Sequence, residues 1–195
     1  LTVGTFAALR PAERRDAAEL AILVDIGSHG FASWLWFSEV SGGKVDTPLE
    51  QGRLKMSRDG EWGSWQNAVV AEAYGEIAGA AVGYELGAGI SAIETDRPAL
   101  VPVITMQKTV AGGWFIGTLA VYRHLRGIGI GMKLLGDQID KANGLPVSLI
   151  TSSDNEAALA LYKKNGFSEA DRADAVPIFE SSRKHEWVLL TRLAG

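Results

Sequence analysis

The chain has 195 residues, 47% hydrophobic against 22% charged, the size and balance of one globular domain with a core of its own. Cysteine is absent, which excludes disulfides, thiolate metal sites and a cysteinyl covalent intermediate. A net charge of −4 argues against a general nucleic-acid binder, no apolar run reaches the ~18 residues of a membrane span, and the apolar start lacks a basic leader, so the expectation is a soluble, unexported, cytoplasmic protein with neither nucleic acid nor membrane as partner.

Residues 2–9 read as a first strand. Pro11, then Asp16 as a candidate N-cap, introduce a helix whose apolar positions include Leu20, Leu23 and Val24 and which stops near Gly27. A second helical segment over 31–40 carries Trp34, Leu35 and Phe37 and breaks at Ser41-Gly42-Gly43; 47–56 reads as a further short helix. Residues 68–74 and 77–86 are expected as two antiparallel strands joined around Gly75-Glu76. The interval 87–102 is irregular. Residues 114–122 form an apolar strand that leads into a glycine-rich turn. A helix over 129–143 follows, with Met132, Leu135, Ile139 and Ala142 on one face, and then a strand over 146–151. Ser153-Asp154-Asn155-Glu156 has the S-x-x-E spacing of a capping box, so a helix is expected from there to Asn165-Gly166. Strands around 167–170 and 187–193 close the chain. The order predicts an α/β (α+β) fold with a mixed sheet flanked by helices.

The turn is Arg126-Gly127-Ile128-Gly129-Ile130-Gly131. A strand that ends in a tight turn and opens a helix leaves unpaired backbone N–H groups at the helix N-terminus, where a phosphate can sit, and glycines let that backbone come close. Taken alone, such a turn also serves as ordinary helix entry. No Asp or Glu occurs from Arg97 through Gly136, whereas Arg97, Lys108, Arg123, Arg126 and Lys133 all fall there, which favours an anion. The spacing departs from G-x-G-x-x-G, and Lys133 is misplaced for a P-loop, so those nucleotide motifs are disfavoured.

The R-x-x-G-x-G pattern of Arg126, Gly129 and Gly131, the strand before it, and the downstream Asn155, Ala158, Tyr162 and Asn165-Gly166-Phe167 together resemble the GNAT N-acetyltransferase family over residues 114–167. The resemblance implies a GNAT fold: a mixed central sheet of about seven strands, splayed between the strand 114–122 and the strand 146–151, with acetyl-CoA in the gap as co-substrate. It implies that the backbones of Leu119 and Val121 pair with the pantetheine arm. The amides of Gly127, Ile128, Gly129, Ile130, Gly131 and Met132 would hold the pyrophosphate, beside Arg126. Asn155 would contact the pantetheine region, and Tyr162 would point at the thioester sulfur. Residues 1–195 would make one domain, with 1–110 mainly the acceptor side and 111–167 the acetyl-CoA-binding core. The acceptor would be a small-molecule or peptide amine, attacking directly in a ternary complex, and a homodimer is compatible with this reading. An acyl-CoA-binding module without catalysis is the alternative.

Family members often carry a carboxylate or histidine on the strand before the turn as base, and 114–122 has neither. Glu72, Tyr74 and Glu85 are alternatives that also read as solvated strand residues, so no base is assigned. His29, His124 and His185 lack metal-ligand spacing, and no metal is expected; His124 is close enough to the turn to meet a phosphate. Trp34, Trp36, Trp62 and Trp65 read as core packing or as an aromatic wall for the acceptor. Lys163-Lys164, at a helix C-terminus, is explained by the helix dipole.

Overall fold

In a computed structural model, residues 7–193 are described, and they form a mixed α/β fold whose strands run in the order β1-β2-β3-β4-β5-β7-β6. The chain divides into two compact units. One runs to Tyr84 and resumes over Gly117–Gln138; the other comprises Glu85–Ile116 and the chain from Ile139 on. Strand β4 (Trp114–Val121) passes from the second unit into the first at Gly117.

In the first unit β1 (Ala8–Pro11) pairs antiparallel with β2 (Ala68–Ala73), and β2 with β3 (Glu76–Glu85). The first strand therefore starts later than expected, and the expectation over residues 2–6 lies outside the described residues. The hairpin turns at Tyr74-Gly75, one residue before the expected Gly75-Glu76; both residues have positive φ (55° and 82°), the backbone twist that two-residue hairpins demand. Alternation along the strands separates two apolar layers. Val70, Val82 and Ala120 join Leu20, Leu23, Trp36 and Met56 from α1 (Ala17–Gly27), α2 (Phe31–Ser41) and α3 (Pro48–Met56). Val69, Ala71, Ala81 and Val121 join Leu125, Ile130 and Leu134, the last two from α5 (Ile130–Lys141). Leu20, Leu23 and Leu134 are fully buried, and each such side chain contributes about 1.5–3 kcal/mol.

Local chemistry sets the helix ends. Asp16 accepts from Arg10 Nη1 and from the Glu13 amide, both at 2.7 Å, and so fixes the turn that feeds α1. The Thr47 hydroxyl accepts from the Glu50 amide at 3.1 Å, with Pro48 opening α3, where its missing N–H costs nothing. Gly52 of α3 faces Trp36 of α2; a β-carbon there would lie 2.4 Å from the indole, so glycine is what permits the approach.

In the second unit β4 and β5 (Val147–Ser152) run parallel with Trp114, Phe115 and Ile116 opposite Val147, Ser148 and Leu149. β7 (Glu186–Arg192) pairs antiparallel with both β5 and β6 (Ser168–Asp174). Arg172 holds Glu169 at 2.8 Å and Glu186 at 2.7 Å along β6, a charged strand at one end of the strand order. Helix α4 (Val101–Thr109) was not expected; Pro102 sits in its first turn, where proline is tolerated, and so did not mark a continuing loop. Helix α6 (Glu156–Lys164) is capped by Asn155, whose Oδ1 accepts from the Ala158 amide at 3.3 Å, and not by Ser153, whose hydroxyl accepts instead from the Glu186 amide at 2.9 Å. On α5 the buried side chains are Ile130, Leu134, Leu135 and Gln138; Met132, expected on the apolar face, is exposed.

Candidate active site

The glycine turn belongs to the first unit and is shaped by backbone that L-residues avoid. Gly127 and Gly129 have φ of 82° and 92°. A β-carbon on Gly127 would meet nothing within 4 Å, so the requirement there is conformational and not spatial. Ile130 anchors the helix entry in the layer with Val121, Leu125 and Leu134 at 1% exposure, while Gly127, Ile128 and Gly129 are exposed. Lys133 donates its amide to the Gly129 carbonyl at 3.1 Å, the first bond of α5; the amides of Ile130, Gly131 and Met132 precede it and have no carbonyl within the helix to bond. With the dipole of a twelve-residue helix behind them, these groups favour an anion.

Arg126 donates Nε to the carbonyl oxygen of Val121 at 2.9 Å, tying the turn to the end of β4. Leu119 is half-buried against the α5 layer and Val121 is buried in it, while Ala120 between them faces the α1 layer. Strand β3 approaches this stretch closely: a β-carbon on Gly79 would lie 2.5 Å from the Ala120 carbonyl oxygen. The Lys133 ammonium donates to the carbonyl of Ala7. His124 stands 3.3 Å from a Glu76 carboxylate oxygen, with its ring beside Tyr122.

Asn155 and Tyr162 belong to the second unit. Asn155 spends its carbonyl oxygen on the α6 cap. Tyr162 is 7% exposed, its ring 5.8 Å from that of Phe167, and burial pushes its phenol up to about 12.

Of the three groups considered as base, Glu72 is paired with Arg10 at 2.7 Å, Tyr74 occupies the hairpin turn with 74% exposure, and Glu85 is exposed at the end of β3. A pair that sequence reasoning missed lies just past β4: the Tyr122 hydroxyl donates to the Glu19 carboxylate of α1, from 103 positions away. Burial, with that hydrogen bond, raises the Tyr122 phenol. The tryptophans divide: Trp36 is buried, Trp34 is half-buried with its ring 5.3 Å from Phe31, Trp65 donates to Asp59 at 3.1 Å, and Trp62 is exposed over Tyr84 at 6.1 Å. Burial pushes the Tyr84 phenol up to about 12. Among the described residues no group of three or more His, Asp or Glu is placed to hold a metal ion, and no helix is long and apolar enough to cross a membrane.

The model of the acetyltransferase (GNAT) family matches residues 31–167, a span that takes in α2 and α3 as well as the glycine turn. The chain belongs to the GNAT acetyltransferase family. Two solved structures share the fold over nearly the whole chain. One is an N-acetyltransferase from Staphylococcus aureus Mu50, 24% identical, covering 95% of this chain and 100% of that one with a TM-score of 0.66. The other is the Salmonella typhimurium protein yncA, solved with its cofactor acetyl-CoA, 16% identical over 96% of this chain and 93% of that one with a TM-score of 0.60. A Mycobacterium leprae protein of uncharacterized function is 42% identical over 52 residues, which is 27% of this GNAT chain and 14% of the relative's own length.

Proposed function

We propose that this GNAT protein transfers the acetyl group of acetyl-CoA to the amine of a small molecule or peptide, by direct attack in a ternary complex. The observation that carries the reading is the left-handed Gly127 and Gly129 ahead of α5, with the Ile130, Gly131 and Met132 amides lacking helical acceptors. That arrangement of donors suits a pyrophosphate, and the acetyl-CoA bound to yncA supports the choice of cofactor. In this reading Leu119 and Val121 offer backbone groups to the pantetheine arm, Arg126 adds charge beside the phosphates, Asn155 meets the arm and Tyr162 meets the sulfur.

The chemistry divides into three demands. An alkylammonium has a pKa near 10.4, so freeing its lone pair at pH 7 costs about 4–5 kcal/mol. Holding amine and thioester in one site supplies proximity, and donors on β4 can stabilise the developing oxyanion. The leaving thiolate resembles a thiol of pKa about 8.5, while Tyr162 ionises near 12, so full proton transfer from Tyr162 is uphill by ~5 kcal/mol. Tyr162 therefore serves the sulfur as a hydrogen-bond donor.

The test has two arms. Calorimetry with acetyl-CoA measures binding, and thiol release is followed across a panel containing a polyamine, a lysine peptide, a peptide with a free α-amine and an aminoglycoside. Binding with amine-dependent release is expected; no binding sinks the reading. Strand β4 has neither carboxylate nor histidine, which favours a second reading, a non-catalytic acyl-CoA-binding module. Tight binding with silence across the panel selects it.

A further inference from the structure

We propose that His29, at the junction of α1 and α2, is the general base that deprotonates the acceptor amine, an inference that rests on the acetyl-transfer reading above. The need for such a group comes from β4, which offers none. The placement comes from α1. A β-carbon on Gly27, its last residue, would lie 3.1 Å from Thr118 Cγ2, 3.5 Å from Ala120 Cβ and 3.8 Å from the Leu119 carbonyl oxygen. Toward its other end Glu19 meets Tyr122. Helix α1 thus lies alongside β4 and antiparallel to it. The lengths agree, since eight helical residues rise about 12 Å and four strand residues about 13 Å.

With phosphates at the turn after β4 and the arm along Val121 and Leu119, the thioester falls before Leu119, abreast of Thr118 and Gly27. His29 is the second residue beyond Gly27 and is exposed.

The backbone fixes it there. The Gly30 amide donates to the Asp25 carbonyl at 3.0 Å and the His29 amide to the Ile26 carbonyl at 3.2 Å, the paired bonds of a Schellman close, with His29 at the left-handed position, φ 52°. Glycine is the usual occupant because a β-carbon is penalised there. The Asp25 carboxylate accepts from the Ser33 amide at 2.8 Å and the Ser28 hydroxyl from the Ala32 amide at 3.0 Å, which secures the start of α2 from the same turn. Among the described residues the other non-glycine residues in this region of φ are Tyr74, at the hairpin tip, and Asn143; asparagine and histidine both adopt it more often than most residues. The turn thus holds the backbone of His29 in one conformation beside the expected reaction centre.

The step balances. An imidazole nitrogen takes one proton from the ammonium. The freed lone pair attacks the thioester carbonyl carbon and forms the C–N bond, the C–S bond breaks with its electrons on sulfur, and the second nitrogen proton passes to the thiolate. His29 then returns its proton to water, so ammonium and acetyl-CoA give acetamide, CoA thiol and one proton.

The experiment compares wild type, His29→Gly and His29→Asn, using the panel amine that wild type acetylates fastest. In both variants kcat is expected to fall about a hundredfold or more, the usual contribution of a general base, with the acetyl-CoA KM unchanged. Added imidazole should restore part of the rate in His29→Gly, whose melting temperature should rise because glycine suits the turn. Undiminished kcat in either variant, or a fall in both without imidazole rescue in His29→Gly, overturns this assignment alone. Absence of thiol release by wild type removes it together with the acetyl-transfer reading.

Discussion

Arg126 reaches back across the glycine turn and donates Nε to the carbonyl oxygen of Val121 at 2.9 Å. The last carbonyl of β4 and the first residues before α5 are thereby held in one geometry, and the amides that follow inherit it. Arg126→Ala is expected to weaken acetyl-CoA binding about tenfold, since a hydrogen bond from a charged group is worth ~1.5 kcal/mol. Arg126→Lys restores charge without the planar fork and should recover only part of the loss, measured by calorimetry at fixed ionic strength.

Gly79 faces the Ala120 carbonyl oxygen so closely that a methyl group would sit 2.5 Å from it. Gly79→Ala must push β3 away from β4. A loss of about 1–3 kcal/mol is expected by chemical denaturation. Acetyl-CoA binding should fall with it, because Ala120 lies between the two residues proposed to pair with the pantetheine arm.

Tyr162 gives a prediction at high pH. Its phenol ionises near 12 in the fold and near 10 in an unfolded chain, so the unfolded chain loses the proton first. The stability this group lends is complete below pH ~10 and is lost as the pH rises through 12, at most about 3 kcal/mol. The difference between wild type and Tyr162→Phe in denaturant midpoint should therefore shrink over that window. At neutral pH the same variant should lower kcat with little change in the acetyl-CoA KM.

Asp16 gives the opposite window. Hydrogen bonds from Arg10, with help from the Glu13 amide, hold its carboxyl below the usual carboxylate range. The contribution of the pair is complete above pH ~4 and is lost as the pH falls through the folded-state value. Asp16→Asn should cost about 1–3 kcal/mol at pH 7 and show a flatter loss of stability in acid, followed by thermal melts from pH 7 to 3.

The elements legible in the sequence were those governed by local rules. Leu20 and Leu23 announced α1, the Gly127–Gly131 alternation announced the turn, and Val147 and its neighbours fell within a residue of the expected strand. What escaped depended on partners distant in sequence or on a choice between adjacent residues. Helix α4 hid behind Pro102, which is harmless in a first turn. Ser153 and Asn155 both had cap chemistry, and the Glu186 amide claimed the serine. Leu134 rather than Met132 faces inward because α5 begins at Ile130, whose burial sets the phase of the helix. The Tyr122–Glu19 bond joins residues 103 positions apart and carries no sequence signature. The turn was found by its glycines, whereas His29 has a histidine where the glycine belongs, so the sequence pattern passed over it.

The fit of Gly52 under the Trp36 indole has an evolutionary consequence. It locks α2 to α3 by a side of α2 that faces away from solvent, while Phe37 on the same helix is 55% exposed and Trp34 half-buried. Lineages descended from this scaffold can exchange the residues at 34 and 37 while the helix pair beneath stays unchanged.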